Sequence, residues 1–541
     1  MKKTFFSLLW DSETYYQEWL RDKETRDKEF IYDLNLQYIY EEVRRLSGFG
    51  DRYDFRDIFL YSCAAGSTVA YRQRIMERLY ENPELYEAAL EAVSCISDSQ
   101  SKLERVCGTK DELKKKIFFL HMLYEFLLRM AQVYSCLEKL ISAEKLCALG
   151  ISKAAEEITG QEAVERTEKL RSYLQLLQRI TPSTIVMNKG ENQICYSAVV
   201  WPEEEEKSGY MDRLMELVSF FLDDCSMPVK VYQDMDITCF DKKLQEYICR
   251  QQPEFPKETE MLYQAYRKFD FWPYIKLANE LVFYLSCIRF RKEYEREKFY
   301  FTVPKCQYGE ESKVTAAYDM VLGINLFRNN KGCKAVPNDF RFDRDGRFFL
   351  LTGANQGGKT TFIRSIGLVQ HLAQIGMFVP AEGAVVGMVR HIHTHFGRDD
   401  EAAAMVGRFE QELERMRKLL NDLRDGDMVL LNETFTSTQR MGAVILLGRL
   451  LKEFDRKHCV GGLVTHYHEI YDRLEEGSFY SLTAGVEEES GRMDRTFKII
   501  RSDSGRQSYA KDIAVKCGVT YDQLVGVLKA AEEGGDLDVL F

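Results

Sequence analysis

The spacing of apolar residues predicts helices over most of the first 300 residues. Leu, Met, Phe and Tyr recur at three- and four-residue intervals through Leu113–Glu138, which predicts a long helix with a wide apolar face. Ala163–Ile180 and Tyr274–Glu295 continue this pattern. We therefore expect a mainly helical domain over residues 1–300, with most of its aromatic and methionine side chains in the core.

One short segment of this half alternates in the manner of a β-hairpin. Thr184–Met187 and Ile194–Trp201 flank a turn at Asn188–Asn192, where Asn and Gly are the residue types that hairpin turns prefer. The pattern predicts a small β interruption near residues 184–201.

A change of pattern near Val303–Asp345 marks a second predicted domain, residues 301–541. Glycine, proline and asparagine appear there, and short apolar runs then alternate with helical segments. Such alternation predicts an α/β domain with a largely parallel sheet. The predicted fold is multidomain, with a helical domain followed by an α/β domain.

A phosphate-binding motif follows the apolar run Arg347–Thr352. Gly353–Thr360 fits G-x-x-x-x-G-K-[ST], and Thr361–Ile375 reads as the helix that should follow. Glycines let backbone N–H groups surround a phosphate, Lys359 supplies a positive charge, and Thr360 can ligate Mg²⁺. A chance match is the alternative, but a strand before and a helix after favour a site for ATP and Mg²⁺. The residues predicted to bind the nucleotide are Gly353, Ala354, Asn355, Gln356, Gly357, Gly358, Lys359, Thr360 and Thr361.

Two further apolar runs end in polar residues that can complete this site. Met428–Leu431 leads into Asn432 and Glu433, which we expect to serve the Mg²⁺ shell and to orient the attacking water. Gly461–Val464 leads into Thr465 and His466, and His466 is a candidate sensor of the γ-phosphate, with a structural role as the alternative. The predicted catalytic residues are Glu433, His466 and Lys359, and the predicted metal ligands are Thr360, Asn432 and Glu433.

Three histidines occupy alternate positions on another predicted strand, at His391, His393 and His395. A metal cluster is one interpretation. Exposure of these side chains on the surface of the strand is the interpretation that we prefer.

Composition and charge narrow the class of protein. A formal net charge of -11 argues against a generally polycationic nucleic-acid binder, although a local basic surface remains possible. The 14 cysteines form no CxxC pair, which favours reduced thiols in a cytoplasmic protein over zinc sites or disulfides. The apolar stretch at the N-terminus stops at Asp11 without a cleavage site, and no apolar run approaches about 18 residues, so neither a signal peptide nor a membrane span is expected.

The segment from Leu350 to Gly518 resembles the ATPase domain of the MutS mismatch-repair family. GANQGGKTT at the phosphate loop is similar to the family's GPNMGGKST, and AQIGMFVPAE is similar to its AxIGxxVPA stretch. Phe409 and Glu412 fall at the Phe and Glu of its STFMVE motif. Further similar segments are Phe396–Glu401, Leu430–Glu433 with Thr436–Thr438, Val464–Glu469 and Gln507–Ala510.

The resemblance implies an ABC-like ATPase head that works as a homodimer, in which each ATP site is completed by the partner. It also implies DNA as the partner of the helical half, which would correspond to the family's core and lever region. Asn432 stands where the family has a Mg²⁺-shell Asp, which implies slow hydrolysis. Gly407 stands where a trans-acting Ser is expected, with Arg408 beside it. From the length of the chain we expect no mismatch-recognition domains like those at the N-terminus of the family.

Three functions are therefore weighed. The first is an ATP-dependent protein that binds mismatched, branched or structured DNA. The alternative is a DNA-independent ATPase switch whose helical half docks a protein. A transport ATPase is least favoured because no LSGGQ-like signature lies between the phosphate loop and Asn432. Basic side chains that converge on the helical arms would distinguish the first two, and the candidates are Lys242, Lys243, Arg250, Arg267, Lys268, Arg289, Arg291 and Lys292.

Overall fold

The computed structural model describes residues 7–502, with gaps at 26–27, 143–160, 179–180, 190–191, 201–248, 250–252, 308, 310, 330–334, 345, 354–355, 398–404, 474–478 and 490–491. The chain forms two compact units. One contains Asn82–Leu281, and the other combines Leu8–Glu81 with the chain from Val282 onward. These units are groups of contacting residues, so the division into residues 1–300 and 301–541 stays a prediction.

The segment before residue 82 is helical. Its helices are α1 (Glu13–Thr25), α2 (Glu29–Asp33), α3 (Leu36–Ser47), α4 (Arg56–Leu60) and α5 (Gly66–Glu81), with a 3-10 turn at Gly50–Arg52. In α3 the buried residues Leu36, Ile39, Tyr40 and Val43 recur at the spacing of one helix face. Gly48 ends this helix in the left-handed conformation.

Long helices form the unit of residues 82–281. The elements that begin there are α6 (Pro83–Gly108), α7 (Glu112–Ser142), α8 (Gln161–Gln178), β1 (Thr181–Lys189), β2 (Asn192–Val200), α9 (Phe255–Tyr266) and α10 (Trp272–Arg296). The helix predicted at Leu113–Glu138 is confirmed. Phe126 packs edge-on against Phe269, Phe271 and Tyr274, which places the expected aromatic residues in the core.

The predicted β interruption is confirmed as an antiparallel pair. Strands β1 and β2 pair in register from Thr181 with Val200 to Lys189 with Asn192. The two residues between them lie outside the described part of the chain.

The chain from residue 305 builds the predicted α/β arrangement. Its elements are β3 (Lys305–Gln307), β4 (Ser312–Ala317), α11 (Met320–Arg328), β5 (Asn338–Phe342), β6 (Phe348–Thr352), α12 (Lys359–Gln374), β7 (Gly383–Gly387), β8 (Ile392–Phe396), α13 (Met405–Asp422), β9 (Met428–Asn432), α14 (Arg440–Arg456), β10 (Val460–Val464), a 3-10 helix (His468–Arg473), β11 (Phe479–Glu489) and β12 (Arg492–Arg501).

Two sheets result from these strands. A six-stranded sheet has the order β12-β11-β6-β10-β9-β8, in which all neighbouring pairs are parallel except β11 with β12. This sheet confirms the prediction of a largely parallel α/β domain. A four-stranded sheet of order β3-β7-β4-β5 accompanies it, and the sequence pattern did not separate this second sheet from the first.

The centre of the six-stranded sheet is apolar on both faces. Every residue of β6, β9 and β10 is buried, which is why these strands are continuous apolar runs rather than alternating ones. Gly462 in β10 makes room for the ring of Phe349, since a Cβ there would lie 2.2 Å from that ring. Among the described helices, none combines the length and apolarity needed to span a bilayer.

Candidate nucleotide site

Three neighbouring strands end at the same level of the six-stranded sheet. Val464 of β10 pairs with Leu351 of β6 on one side and with Asn432 of β9 on the other. The segments that follow these strands therefore emerge side by side at the carboxyl edge, where ligands bind in open parallel sheets. The fold thus brings together the three segments that the sequence singled out.

The phosphate-loop backbone adopts conformations that favour glycine. Gly353 has φ +133°, and a Cβ there would lie 3.1 Å from the backbone N of Ala484. Gly358 is left-handed with φ +88°, and α12 begins at the next residue. This change of hand at a helix N-terminus produces a concave backbone whose N–H groups can bind an anion. Gln356 is also left-handed, with φ +61°.

The other predicted loop residues are placed as follows. Gly357 is buried and Thr361 is half-buried in the first turn of α12, whereas Ala354 and Asn355 lie outside the described residues.

Lys359 is a buried cation at the start of α12. Its side chain is 5% exposed, and Nζ donates a hydrogen bond to the carbonyl oxygen of Gly353 at 2.9 Å. Burial lowers the pKa of Lys359, and the negative charge of Glu433 partly opposes this shift. A desolvated ammonium group is stabilised by a nearby anion, so this position favours a phosphate ligand.

Thr360 and Asn432 are in contact. The Thr360 hydroxyl donates a hydrogen bond to Oδ1 of Asn432 at 3.2 Å, and Asn432 is buried at the end of β9. Oxygen atoms of this kind fit Mg²⁺, which prefers hard oxygen ligands and retains several waters. An amide lacks the negative charge that an Asp would place here.

Glu433 lies on a strained turn directly after β9. Its φ is +52°, a left-handed conformation that is uncommon for a residue other than glycine. Its backbone N–H donates a hydrogen bond to the carbonyl oxygen of Val464 at 2.9 Å, which fixes the turn against β10. The half-buried side chain is near enough to both Lys359 and His466 for its charge to oppose the lowering of their pKa values by burial.

His466 lies at the tip of β10 with its ring against Tyr467, at 4.2 Å between centroids. The side chain is exposed, yet surrounding protein displaces enough water to lower the pKa of His466, and Glu433 opposes this shift. A lowered pKa favours the neutral imidazole near neutral pH.

Several contacts at this edge had no clear signal in the sequence. The hydroxyl of Ser437 donates to Oε2 of Glu412 at 2.8 Å. Phe497 of β12 approaches the phosphate loop, with its ring 3.5 Å from the position of a Cβ on Gly358. Because 139 residues separate Phe497 from Gly358, only the fold brings them together. The side chain of Arg408 lies outside the described residues.

The predicted exposure of the three histidines is wrong. The side chains of His391, His393 and His395 are 13%, 8% and 1% exposed. Helices α2 and α13 both contact β8, so the strand is covered although it lies at the edge of the sheet.

Among the candidate basic residues of the helical arms, Arg291 and Lys292 both lie over the ring of Tyr80. Arg289 donates to the carbonyl oxygen of Ser47, and Arg291 pairs with Glu295. Arg267 and Lys268 are exposed. The described residues do not include the other candidates Lys242, Lys243 and Arg250.

Comparison with known proteins relates this edge to one family. Residues 349–533 match MutS domain V. The chain is 30% identical over 210 residues to the DNA mismatch repair protein MutS of Prochlorococcus marinus (strain MIT 9301), an alignment that covers 38% of this chain and 23% of that protein. It is 32% identical over 206 residues to DNA mismatch repair protein MutS 1 of Halobacterium salinarum (strain ATCC 29341 / DSM 671 / R1), covering 37% and 23%.

A third relative has a similar identity and a similar coverage. Identity is 32% over 186 residues with the DNA mismatch repair protein MutS of Thermotoga petrophila, covering 34% of this chain and 23% of that protein. The similarity to MutS proteins is thus shown for the part of the chain that matches MutS domain V, residues 349–533. The chain spans about a quarter of the length of these relatives. The MutS-type region begins in β6 and contains the phosphate loop, Asn432, Glu433 and His466.

Proposed function

We propose that this chain, whose residues 349–533 match MutS domain V, binds and hydrolyses ATP at the carboxyl edge of its six-stranded sheet. The observation that carries the proposal is that β6, β9 and β10 end at the same level of the sheet. This arrangement brings a buried lysine, a strained glutamate and a strand-tip histidine to the same edge, in a chain whose relatives carry the MutS name.

Each residue has a distinct role in this proposal. The loop from Gly353 to Thr361 holds the phosphates, and Lys359 exchanges its contact with the Gly353 carbonyl for phosphate oxygens. Thr360 and Asn432 would hold Mg²⁺, which neutralises phosphate charge when bound. Glu433 orients a water and accepts its proton, and neutral His466 contacts the γ-phosphate.

In this proposal, ATP turnover moves the helical part of the chain. We infer that residues 1–300 form a core and lever whose arms move on DNA, driven by a homodimer of ATPase heads in residues 301–541. The relatives' name, DNA mismatch repair protein, supports DNA as the partner. The proposed DNA is mismatched, branched or otherwise structured, and the proposed compartment is the cytoplasm.

An ATPase assay with four conditions tests this function. The full chain is assayed without DNA, with perfect duplex, with a mismatched duplex and with a branched junction, beside the Lys359→Ala variant. We expect turnover that needs Lys359 and changes with at least one DNA. Turnover that no DNA alters, together with no DNA binding in the presence of ATP, would favour the DNA-independent switch instead. Wild-type turnover equal to that of Lys359→Ala would contradict the proposed ATPase activity.

Mixed dimers test the composite sites and Arg408. A Lys359→Ala chain cannot use its own phosphate loop, and an Arg408→Ala chain cannot complete its partner's site. If Arg408 acts in trans, mixing restores activity that neither variant has alone, because the intact loop then faces the intact arginine. Mixed dimers without such rescue would show that Arg408 acts within its own chain, as a pair with its i+4 neighbour Glu412, or has no role.

A further inference from the structure

A second polar cluster lies at the opposite end of the same sheet. His391 directly precedes β8 and Asp427 directly precedes β9, and the register pairs Ile392 with Met428. The cluster is thus at the amino ends of these strands. Strand β9 separates it from Glu433 by roughly 20 Å at the usual rise per residue.

The side chains of His391, His393 and Asp427 converge there. Nε2 of His393 lies 2.9 Å from Oδ2 of Asp427, and Nδ1 of His391 lies 3.8 Å from the same oxygen. One ligand atom from each residue falls within 4.8 Å of the other two. A tetrahedral Zn²⁺ with bonds of about 2.0–2.1 Å needs its ligand atoms about 3.3 Å apart. The two separations that involve Asp427 bracket this value.

The surrounding groups orient these ligands as outer contacts do around metals. Nε2 of His391 donates to the carboxylate of Asp22, with 3.2 Å to each oxygen. Nδ1 of His391 is thereby directed at the cluster, in the carboxylate–histidine arrangement common behind a bound metal. Asp427 is fully buried, and its oxygens also accept from the backbone N–H groups of His391 and Arg424, at 3.0 and 2.7 Å.

A cavity gives access to the cluster. It has a volume of about 320 Å³, and its lining includes Asp22, Glu29, His391, His393 and Asp422. Three protein ligands beside such a space leave a fourth coordination position for water.

We propose that His391, His393 and Asp427 form a binding site for a single Zn²⁺ ion. Two imidazole nitrogens and a carboxylate are a ligand set that suits zinc more than Mg²⁺ or Ca²⁺, which prefer oxygen ligands. Binding replaces the His393 proton that now lies between Nε2 and Asp427. This site is separate from the nucleotide edge and does not depend on the proposed ATPase function.

The first measurement uses the full wild-type chain. Protein stripped with a chelator is incubated with equimolar Zn²⁺ in excess Mg²⁺, which saturates oxygen-rich sites, and is then dialysed. We expect about one zinc per chain by elemental analysis. The same protein loaded with Co²⁺ should show the intense visible absorption of a four-coordinate site. Retention of no zinc would overturn the proposal without recourse to any variant.

Variants then locate the site. His391→Asn and His393→Asn should each lose the bound zinc, and His391 is the more tolerant position because it lies at the rim. Circular dichroism shows whether each variant is folded. The matched control is His458→Asn, since His458 also pairs with an aspartate, Asp425, but is exposed. Zinc retained by both folded cluster variants, or lost equally in the control, would contradict the assignment.

Asp22 provides a graded test. Because it only orients His391, Asp22→Asn should weaken zinc affinity by about 10–100-fold rather than abolish it. Asp425→Asn is its control and should leave the affinity unchanged. Equal zinc affinities in these two variants would show that Asp22 does not contribute to the site.

Discussion

Strand β9 has an acidic residue at each end, Asp427 before its first residue and Glu433 after its last. Asp427 is fully buried, and burial alone would raise its pKa. Hydrogen bonds from His391 and His393, together with the backbone N–H of Arg424, instead hold the pKa of Asp427 well below its usual range. Glu433 is half-buried on a left-handed backbone, beside a lysine whose pKa is lowered by burial.

The two ends therefore differ in how buried charge is compensated. At the amino end, the protein supplies the hydrogen bonds that Asp427 needs, so a cation that binds there must replace one of their protons. At the carboxyl end, Lys359 remains poorly solvated, and a strained turn holds Glu433 in place. Incomplete compensation is what allows a charged ligand to bind strongly, because the ligand removes a cost that the free protein carries.

Replacing Lys359 tests this difference most strongly. Lys359→Ala should abolish ATP binding or turnover, because the phosphate charge then has no cation in a cradle of fixed dipoles. Isothermal calorimetry and a phosphate-release assay measure both. The matched control is Lys457→Ala, since Nζ of Lys457 also donates to a backbone carbonyl, that of Leu423, at 2.7 Å. Near-normal ATP binding and turnover in Lys359→Ala would contradict the assignment of the carboxyl edge as the nucleotide site.

Removing the charge of Glu433 should separate binding from hydrolysis. Glu433→Gln should bind ATP but turn it over about 10²–10⁴-fold more slowly, the usual contribution of a positioned base. Single-turnover kinetics give the rate, and Glu453→Gln on α14 is a control that should behave like the wild type. A decrease of less than about tenfold would mean that another carboxylate serves as the base.

Replacing Asp427 tests whether the amino end is primarily structural. In metal-free protein, Asp427→Asn should lower the free energy of unfolding by about 3 kcal/mol, because buried donors lose their charged acceptor. Urea unfolding measures this change, and the exposed neighbour Asp425 provides the control Asp425→Asn. The ATP turnover of folded Asp427→Asn should stay unchanged. A turnover defect would show that the two ends are coupled, which contradicts their separation.

Restoring an acid at Asn432 should strengthen Mg²⁺ binding. Asn432→Asp should lower the Mg²⁺ concentration for half-maximal turnover by about 10–100-fold, the usual scale for changes close to a metal. A Mg²⁺ titration of ATP turnover measures it, with Asn338→Asp as a second buried amide converted to an acid. An unchanged or higher Mg²⁺ requirement in Asn432→Asp would contradict the metal role of this residue.

The pH dependence of nucleotide affinity should show the smallest effect. Burial lowers the pKa of Lys359, so the ammonium is present below this pKa and affinity falls as pH rises through it. Glu433 opposes the shift, so Glu433→Gln should move the fall to lower pH, with less than about a tenfold change at any one pH. Affinity measured by fluorescence from pH 7 into the alkaline range tests this. Superimposable profiles would mean that Glu433 does not interact with Lys359.

Local pattern determined much of this protein. The continuous apolar runs of β6, β9 and β10 predicted buried strands, and the glycines and lysine of Gly353–Thr360 predicted the phosphate loop. Parallel strands end at a common edge, so the grouping of Asn432, Glu433 and His466 with that loop followed from the pattern before any distance was known. The long helix α7 was equally clear from its spacing.

Only the tertiary structure decided the environment of each side chain. His391, His393 and His395 alternate as exposed residues would, yet two helices cover their strand. One of them, α2, lies more than three hundred positions earlier in the sequence. The contact of Asp22 with His391 spans 369 positions, and Phe497 reaches Gly358 across the sheet. Burial and charge compensation depend on such long-range packing, which periodicity cannot encode because it reports only which residues share a face of one element.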